Sequence, residues 1–283
     1  MASNAAPHRI IPSYPHHGLT TLAYSPDGQV LVTAGADQLI RKFAVDEESK
    51  EPSTYEQHSE SVTSVSCSRS HFASASEDCT VNLFRLHNSD ENPKLLTRCT
   101  LPVRSICFSP DGEWLGVASE ETNAKVVNAV NSGRVMILRG HSKSVKHITF
   151  HPNGNMVTTS CSDGSIYVFS ITSEEAQLTK KIEGIIPAVD VESETSSKVA
   201  WHPDGCVFAA PTTSEDVQLV KMDGWEPQVL FKNGHTGPIS DLAWSSNGNY
   251  LATSARDGNV HIWQSKDQTI IATYPSRNNE ADG

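Results

Sequence analysis

Long apolar runs are absent: nowhere do roughly 18 apolar residues follow one another, so no membrane-spanning helix is expected. Met1 to Tyr14 carries neither a basic stretch nor an apolar one, so no secretory leader is read there and an intracellular protein is expected. Positive charge is scarce. Lysine and arginine number 22 against 33 aspartates and glutamates, a formal net charge of −11, and that balance excludes a general nucleic-acid binder, which needs clustered Lys and Arg against phosphate. The six cysteines, Cys67, Cys79, Cys99, Cys107, Cys161 and Cys206, never fall in Cys-x-x-Cys spacing. They read as structural thiols in a reducing compartment, not as a disulfide frame or a zinc site. A phosphate-binding glycine loop and a His-Glu-x-x-His motif are also missing, which leaves nucleotide hydrolysis and zinc hydrolysis without support; no metal and no cofactor are expected.

What is present is a short, repeated pattern. Leu251 to Trp263 reads as two antiparallel strands joined at Asp257-Gly258, a dipeptide that tolerates positive φ and so favours a tight hairpin. Before it stand Gly234-His235 and the alternating strand Ile239 to Trp244, which ends at the turn Ser246-Asn-Gly248. One such unit cannot bury its own apolar faces, so its recurrence decides the fold. The first turn recurs as Ser25-Pro-Asp-Gly28, Ser109-Pro-Asp-Gly112, His151-Pro-Asn-Gly154, His202-Pro-Asp-Gly205 and Ser245-Ser-Asn-Gly248, shortened once to Ser68-Arg-Ser70. The residue at the place of Trp263 recurs as Phe43, Phe84, Val127, Phe169 and Val220, in steps of 41, 43, 42, 51 and 43 residues.

That period, close to about 40 to 45 residues, resembles the WD-repeat family of four-stranded propeller blades. The fold class expected is therefore all-β, a WD-repeat β-propeller. The resemblance implies that a His before the first strand, a Ser or Thr on the second, an Asp in the next turn and a Trp on the third are hydrogen-bonded together, Phe standing in place of Trp in some repeats. The last repeat has all four, His235, Thr253, Asp257 and Trp263; the second has His58, Ser74, Asp78 and Phe84; the fourth has His141, Thr159, Asp163 and Phe169. The first keeps Thr33, Asp37 and Phe43 with His16 or His17. The third reads Cys99, Val117, Glu121 and Val127 and the fifth Glu192, Ala210, Ser214 and Val220, so both are expected to rely on packing alone.

In chain order, residues 1–15 read as an N-terminal arm, 16–273 as the propeller and 274–283 as a polar tail leading toward a missing seventh repeat. In the first repeat, Leu19 to Tyr24, Val30 to Thr33 and Leu39 to Ala44 read as strands. The 51-residue step marks an insertion within Ser173 to Lys198, whose apolar centre Ile182 to Val191 favours an outer strand and an ordered crossing over a docking loop. Six repeats are visible where the family most often has seven, so a truncated or incompletely closed seven-bladed ring is expected.

Three features resemble one subfamily more closely: Asn123-Ala-Lys-Val-Val-Asn128 followed by Leu138-Arg-Gly-His141; Ser160-Cys-Ser-Asp-Gly164; and Val199-Ala-Trp-His-Pro203 with Ala210-Pro211 and Gly224-Trp225. Together they are similar to the N-terminal propeller of the replisome adaptor family (chromosome transmission fidelity, minichromosome loss and acidic nucleoplasmic DNA-binding proteins). The resemblance implies a nuclear, non-enzymatic hub joining the replicative helicase to DNA polymerase alpha and supporting sister-chromatid cohesion. It also implies that helicase and polymerase docking and homo-oligomerisation belong to a region this chain does not contain.

His, Asp and Ser recur in every well-formed repeat, whereas catalysis needs one polarised set, so His235, Asp257 and Ser254 are not read as a triad. Recognition is expected where turns and first-strand starts converge, at Glu60, Glu77, Arg104, Glu120, Lys143 and Arg256. The expected partners are replication or chromatin proteins, histones and basic peptides among them, with no strong nucleic-acid binding and no membrane contact. The acidic groups Asp46 to Glu48, Glu120-Glu121, Glu174-Glu175 and Glu192 to Glu194 read mainly as solvated loops. The alternative is a substrate-recognition or assembly subunit of another complex such as a ubiquitin ligase, because a propeller alone does not identify function.

Overall fold

The computed structural model describes residues 18–46, 51–87, 92–131, 133–188 and 197–275. The expected arm 1–15, His16 and His17, Glu47-Glu48, Glu192 to Glu194 and residues 276–283 of the tail lie outside the described residues.

Among the described residues, twenty-four strands form six four-stranded sheets, each with its strands hydrogen-bonded in chain order. Sheet 1 holds β1 (Leu19–Tyr24), β2 (Val30–Gly35), β3 (Ile40–Ala44) and β4 (Ser53–Tyr55). Sheet 2 holds β5 (Val62–Cys67), β6 (His71–Ser76), β7 (Thr80–Arg85) and β8 (Lys94–Arg98). Sheet 3 holds β9 (Val103–Phe108), β10 (Trp114–Ser119), β11 (Ala124–Asn128) and β12 (Val135–Leu138). Sheet 4 holds β13 (Val145–Phe150), β14 (Met156–Cys161), β15 (Ile166–Ile171) and β16 (Ala176–Ile182). Sheet 5 holds β17 (Ala200–Trp201), β18 (Val207–Pro211), β19 (Val217–Lys221) and β20 (Pro227–Phe231). Sheet 6 holds β21 (Ile239–Trp244), β22 (Tyr250–Ala255), β23 (Asn259–Gln264) and β24 (Thr269–Pro275).

The repeated turn explains the register. In Ser25 to Val30, Gly28 N donates to Ser25 O at 2.8 Å, and Val30 N donates to the Ser25 hydroxyl at 2.9 Å. Ser109 and Trp114, and Ser245 and Tyr250, repeat the hydroxyl bond at 2.9 and 3.0 Å. A single side-chain oxygen thus satisfies the first N–H of the returning strand, and the same sequence sets the same hairpin each time.

Two compact units are distinguished among the described residues: one of 18–161 with Tyr167–Lys181, the other of 162–166 with 182–275. In the first, β5 packs on β1, β9 on β5 and β13 on β9. Apolar clusters fill each junction: Val32, Ile40, Val62 and Phe72 between sheets 1 and 2, Leu83, Val103, Ile106 and Leu115 between sheets 2 and 3, and Leu138, Ile148, Phe150 and Phe169 between sheets 3 and 4. Hydroxyls on the first strands bind laterally: Val65 N donates to Thr21 Oγ1 at 3.2 Å, Ile106 N to Ser64 Oγ at 3.2 Å and Phe108 N to Ser66 Oγ at 3.1 Å. The small polar residues of these strands therefore join neighbouring sheets through backbone groups that would otherwise be buried unpaired.

β1 carries the exception. Leu19, Leu22 and Tyr24 are 61%, 53% and 55% exposed, whereas Val103, Ile106 and Phe108, their counterparts on β9, are at 0%, 5% and 6%. Among the described residues, no sheet of this unit precedes β1 to cover it.

In the second unit β17 packs on β21, and Ile239, Leu242, Leu251, Trp263 and Phe231 share one core. The described part of the long insertion leaves β16 and buries Ile185 and Ile186, and the Gln218 amide donates to Ile185 O. An outer strand followed by buried isoleucines is what the described part of that stretch produces; Val189 to Val191 lie outside the described residues.

Candidate functional site

The repeated polar residues come together as closed hydrogen-bond sets. In sheet 6, His235 donates from Nδ1 to Asp257 Oδ2 at 3.0 Å, its Nε2 accepts from Thr253 Oγ1 at 2.7 Å, and Trp263 Nε1 donates to Thr253 Oγ1 at 2.8 Å. The Asp257 carboxylate also accepts from Thr236 N at 2.9 Å and Asn259 N at 2.9 Å. Sheet 2 repeats this through His58, with Asp78 at 2.9 Å and Ser74 at 2.7 Å, and Ser59 N reaches Asp78 at 3.1 Å. Phe84 has no donor to offer Ser74; it stacks on Phe72 with ring centroids 4.5 Å apart. In sheet 4, His141 Nε2 meets Thr159 Oγ1 at 2.7 Å and the imidazole leans on Tyr167 and Phe169, while Asp163, in the other unit, accepts from Ser165 N at 2.9 Å.

The electrostatics mark these sets as architecture. Burial pushes the Asp257 carboxyl up, but the N–H groups of Thr236 and Asn259 and the His235 ring more than offset it, leaving it below the ordinary range. Burial pushes His235 down, and Asp257 compensates only in part, so the ring is held neutral. A neutral imidazole with both nitrogens engaged and Thr253 buried beneath it presents no nucleophile to solvent.

Sheets 3 and 5 depart from the sequence reading, and the His of sheet 1 lies outside the described residues. Sheet 3 does not rely on packing alone: Glu121, at the Asp position, accepts from Thr100 N at 2.6 Å and from Thr100 Oγ1 at 2.7 Å. Thr100 follows Cys99 as Thr236 follows His235, so the carboxylate staple survives the loss of the His. Glutamate's extra methylene lets it reach, and the signal was the Thr beside Cys99. In sheet 1, Asp37 pairs with Arg41 at 2.6 Å. In sheet 5, Ser214 Oγ meets Thr212 Oγ1 at 3.1 Å and Asp216 Oδ1 accepts from Asn233 N at 3.0 Å, so polar contacts support this sheet too; Glu192 lies outside the described residues.

Of the six residues proposed for recognition, the structure joins three. Arg104 donates from Nη1 to Glu77 Oε1 at 2.7 Å, and from Nη2 and Nε to Glu120 Oε1 at 2.7 and 2.9 Å. Lys146, which the sequence reading missed, adds 3.4 Å to Glu120. Arg104 and Lys146 hold the same place on β9 and β13, the second residue of the strand, and that equivalence was the available signal. These side chains are a quarter to a third exposed, so the network is a surface feature fixed by the turns and strand starts of sheets 2, 3 and 4. Burial pushes Glu120 up, and the hydrogen bonds and charges of Arg104 and Lys146 outweigh it, so Glu120 lies below the ordinary range. Glu60 and Lys143 are exposed in the same unit, and Arg256 is exposed in the other unit at the end of β22.

His235, Asp257 and His261 place one ligand-type atom each within 4.8 Å of the others. His261 Nε2 donates to Gly234 O at 2.8 Å and its Nδ1 accepts from Thr273 Oγ1 at 2.9 Å. Every ring nitrogen of the group is thus engaged by the protein, and a metal ion would have to break the set that holds the sheet.

Six four-stranded sheets, the repeated turn and the His, Ser/Thr and Asp sets define a WD-repeat β-propeller protein. Residues 14–281 match the family described as WDHD1 first WD40 domain, and the chain belongs to that family. It is similar to Minichromosome loss protein 1 of Schizosaccharomyces pombe, 37% identical over 273 residues, which cover 95% of this chain and 33% of that protein. It is also similar to WD repeat and HMG-box DNA-binding protein 1 of Homo sapiens, 24% identical over 253 residues, covering 87% of this chain and 22% of that protein. The chain thus spans about a third or less of the length of these relatives.

Proposed function

We propose that this chain is a non-catalytic protein-binding platform of a nuclear replication adaptor, linked to the replication machinery and to sister-chromatid cohesion. Family membership supports the setting, since a relative named for minichromosome loss matches along nearly the whole chain. The observation that carries the binding role is the Arg104, Glu77, Glu120 and Lys146 network: charged groups held in fixed geometry at the turn ends of three sheets, with no part in strand pairing. Ordered charge of both signs on a rigid scaffold sets partner choice and register. With a net charge of −11, the partners that suit this surface are replication or chromatin proteins presenting basic segments, histones among them, and not bare DNA. Glu60 and Lys143 belong to the same proposed surface; Arg256 is a separate candidate in the second unit.

Affinity capture from replicating nuclei tests this, comparing the wild-type chain with Arg104→Glu and checking both by circular dichroism. Replication proteins should be recovered with the first and lost with the second. An unchanged partner set on a folded variant removes Arg104 from recognition.

A further inference from the structure

One position of the repeat differs from sheet to sheet in a way that opens a cavity. Directly opposite the Ser/Thr position of the second strand, the third strand carries Arg41 across from Thr33, Asn82 from Ser74, Lys125 from Val117, Gln218 from Ala210 and His261 from Thr253. Tyr167 stands at the same eight-residue offset from Thr159. Five of these six side chains are longer than asparagine, and each finds a partner within its own unit. Arg41 pairs with Asp37 at 2.6 Å, Lys125 donates to Arg98 O at 3.0 Å, and Gln218 donates to Ile185 O. His261 donates to Gly234 O at 2.8 Å, and the Tyr167 hydroxyl meets Ser142 N at 3.3 Å.

In sheet 2 the residue is asparagine, whose side chain is shorter than each of these. What remains is a cavity of about 260 Å³ lined by Gln57, Ser59, Asp78, Asn82, Leu95 and Arg98, with Thr80 at its floor. Asn82 is only 7% exposed. Its amide nitrogen makes contacts no shorter than 3.4 Å, and its Oδ1 accepts no hydrogen bond among the described residues. The carbonyl of Gln57, counterpart of the Gly234 carbonyl that His261 fills, likewise receives none among them. Asp78 is ionised but already accepts four hydrogen bonds, from His58, Ser59 N, Thr80 N and Thr80 Oγ1. It therefore supplies charge, and the open acceptors are Asn82 Oδ1 and Gln57 O.

We infer that this cavity is a binding site for an arginine side chain presented by a partner polypeptide, which supplies in trans the group that Arg41 supplies within sheet 1. A guanidinium is planar, rich in N–H donors and positive, and so matches two free acceptors beside a buried carboxylate. Arg98 is exposed at the mouth, where solvent screens its charge. The site is independent of the Arg104 network.

The test is a titration of the isotopically labelled 283-residue chain with acetyl-Gly-Arg-Gly-amide, followed by amide chemical shifts. Saturable shifts are expected for residues 57–59, 78–82 and 95–98, and the citrulline peptide, isosteric but neutral, should bind about tenfold more weakly. Asn82→Arg fills the cavity from within, as Arg41 does in sheet 1, and should abolish the shifts. If that variant does not fold, Leu95→Trp closes the exposed mouth without touching the buried set and should do the same. Arg104→Ala should leave binding intact. Overturning results are the absence of saturation at millimolar peptide, equal binding of citrulline, binding that survives in a folded plugged variant, or loss of binding in Arg104→Ala.

Discussion

Replacing Thr253 by valine removes one hydroxyl and almost no volume, yet two buried groups lose their partner at once. Trp263 Nε1–H donates to that hydroxyl at 2.8 Å and His235 Nε2 accepts from it at 2.7 Å, and all three residues are buried. Each orphaned buried group costs about 1–3 kcal/mol. The gain from an added methyl group is about 0.8 kcal/mol. Thr253→Val should therefore destabilise the chain by about 2–4 kcal/mol, near the upper end for point substitutions. In sheet 2 the equivalent hydroxyl, Ser74, serves His58 alone, because Phe84 has no donor, so removing it should cost about half as much. Urea denaturation followed by circular dichroism measures both, provided the slope is unchanged between variants. The sharper assay is a double-mutant cycle with Trp263→Phe, which imitates sheets 2 and 4. In that background Thr253→Val orphans only His235, so the two substitutions should couple by about 1–2 kcal/mol. Additivity within about 0.3 kcal/mol would refute the shared-hydroxyl reasoning.

Other outcomes follow from the same geometry. His235 is held below its ordinary 6.5 by burial, so the unfolded chain binds the extra proton first; stability should be full above pH 6.5 and fall as pH drops below it. Asp257, held below 3.8 chiefly by backbone N–H groups that outweigh burial, should add a second loss as pH falls from 3.8 through its folded value, and stability measured from pH 8 to 3 would show both steps. Gly248→Ala should destabilise more than Gly28→Ala: both have positive φ, +70° and +74°, but only at Gly248 does the new Cβ meet a side chain, 2.3 Å from His202 Nε2, and paired denaturation curves compare them. Glu121→Ala should speed hydrogen exchange at the Thr100 amide well beyond its neighbours, with about 1 kcal/mol of stability lost. Duplex DNA binding by this chain should be weak at low salt and vanish by physiological salt; tight binding in that buffer would contradict the charge argument.

The repeat was legible in the sequence because it rests on local rules. Leu19 to Tyr24 alternates and is a strand over the same residues; Ser-Pro-Asp-Gly fixes a turn wherever it occurs; His58, Ser74 and Asp78, and His235, Thr253 and Asp257, sit at offsets that strand pairing converts directly into contact. Other features depend on the length of a side chain and on which neighbour faces it across two sheets. Glu121 reaches Thr100 only because one more methylene spans the gap, Arg41 takes Asp37, and Arg104 is clamped by carboxylates 27 positions back and 16 ahead. Asn82, shorter than its five counterparts, lines a cavity. Pattern and period decide where strands and turns go; whether a polar group is answered, and by whom, is decided by distances that exist only once the sheets have packed.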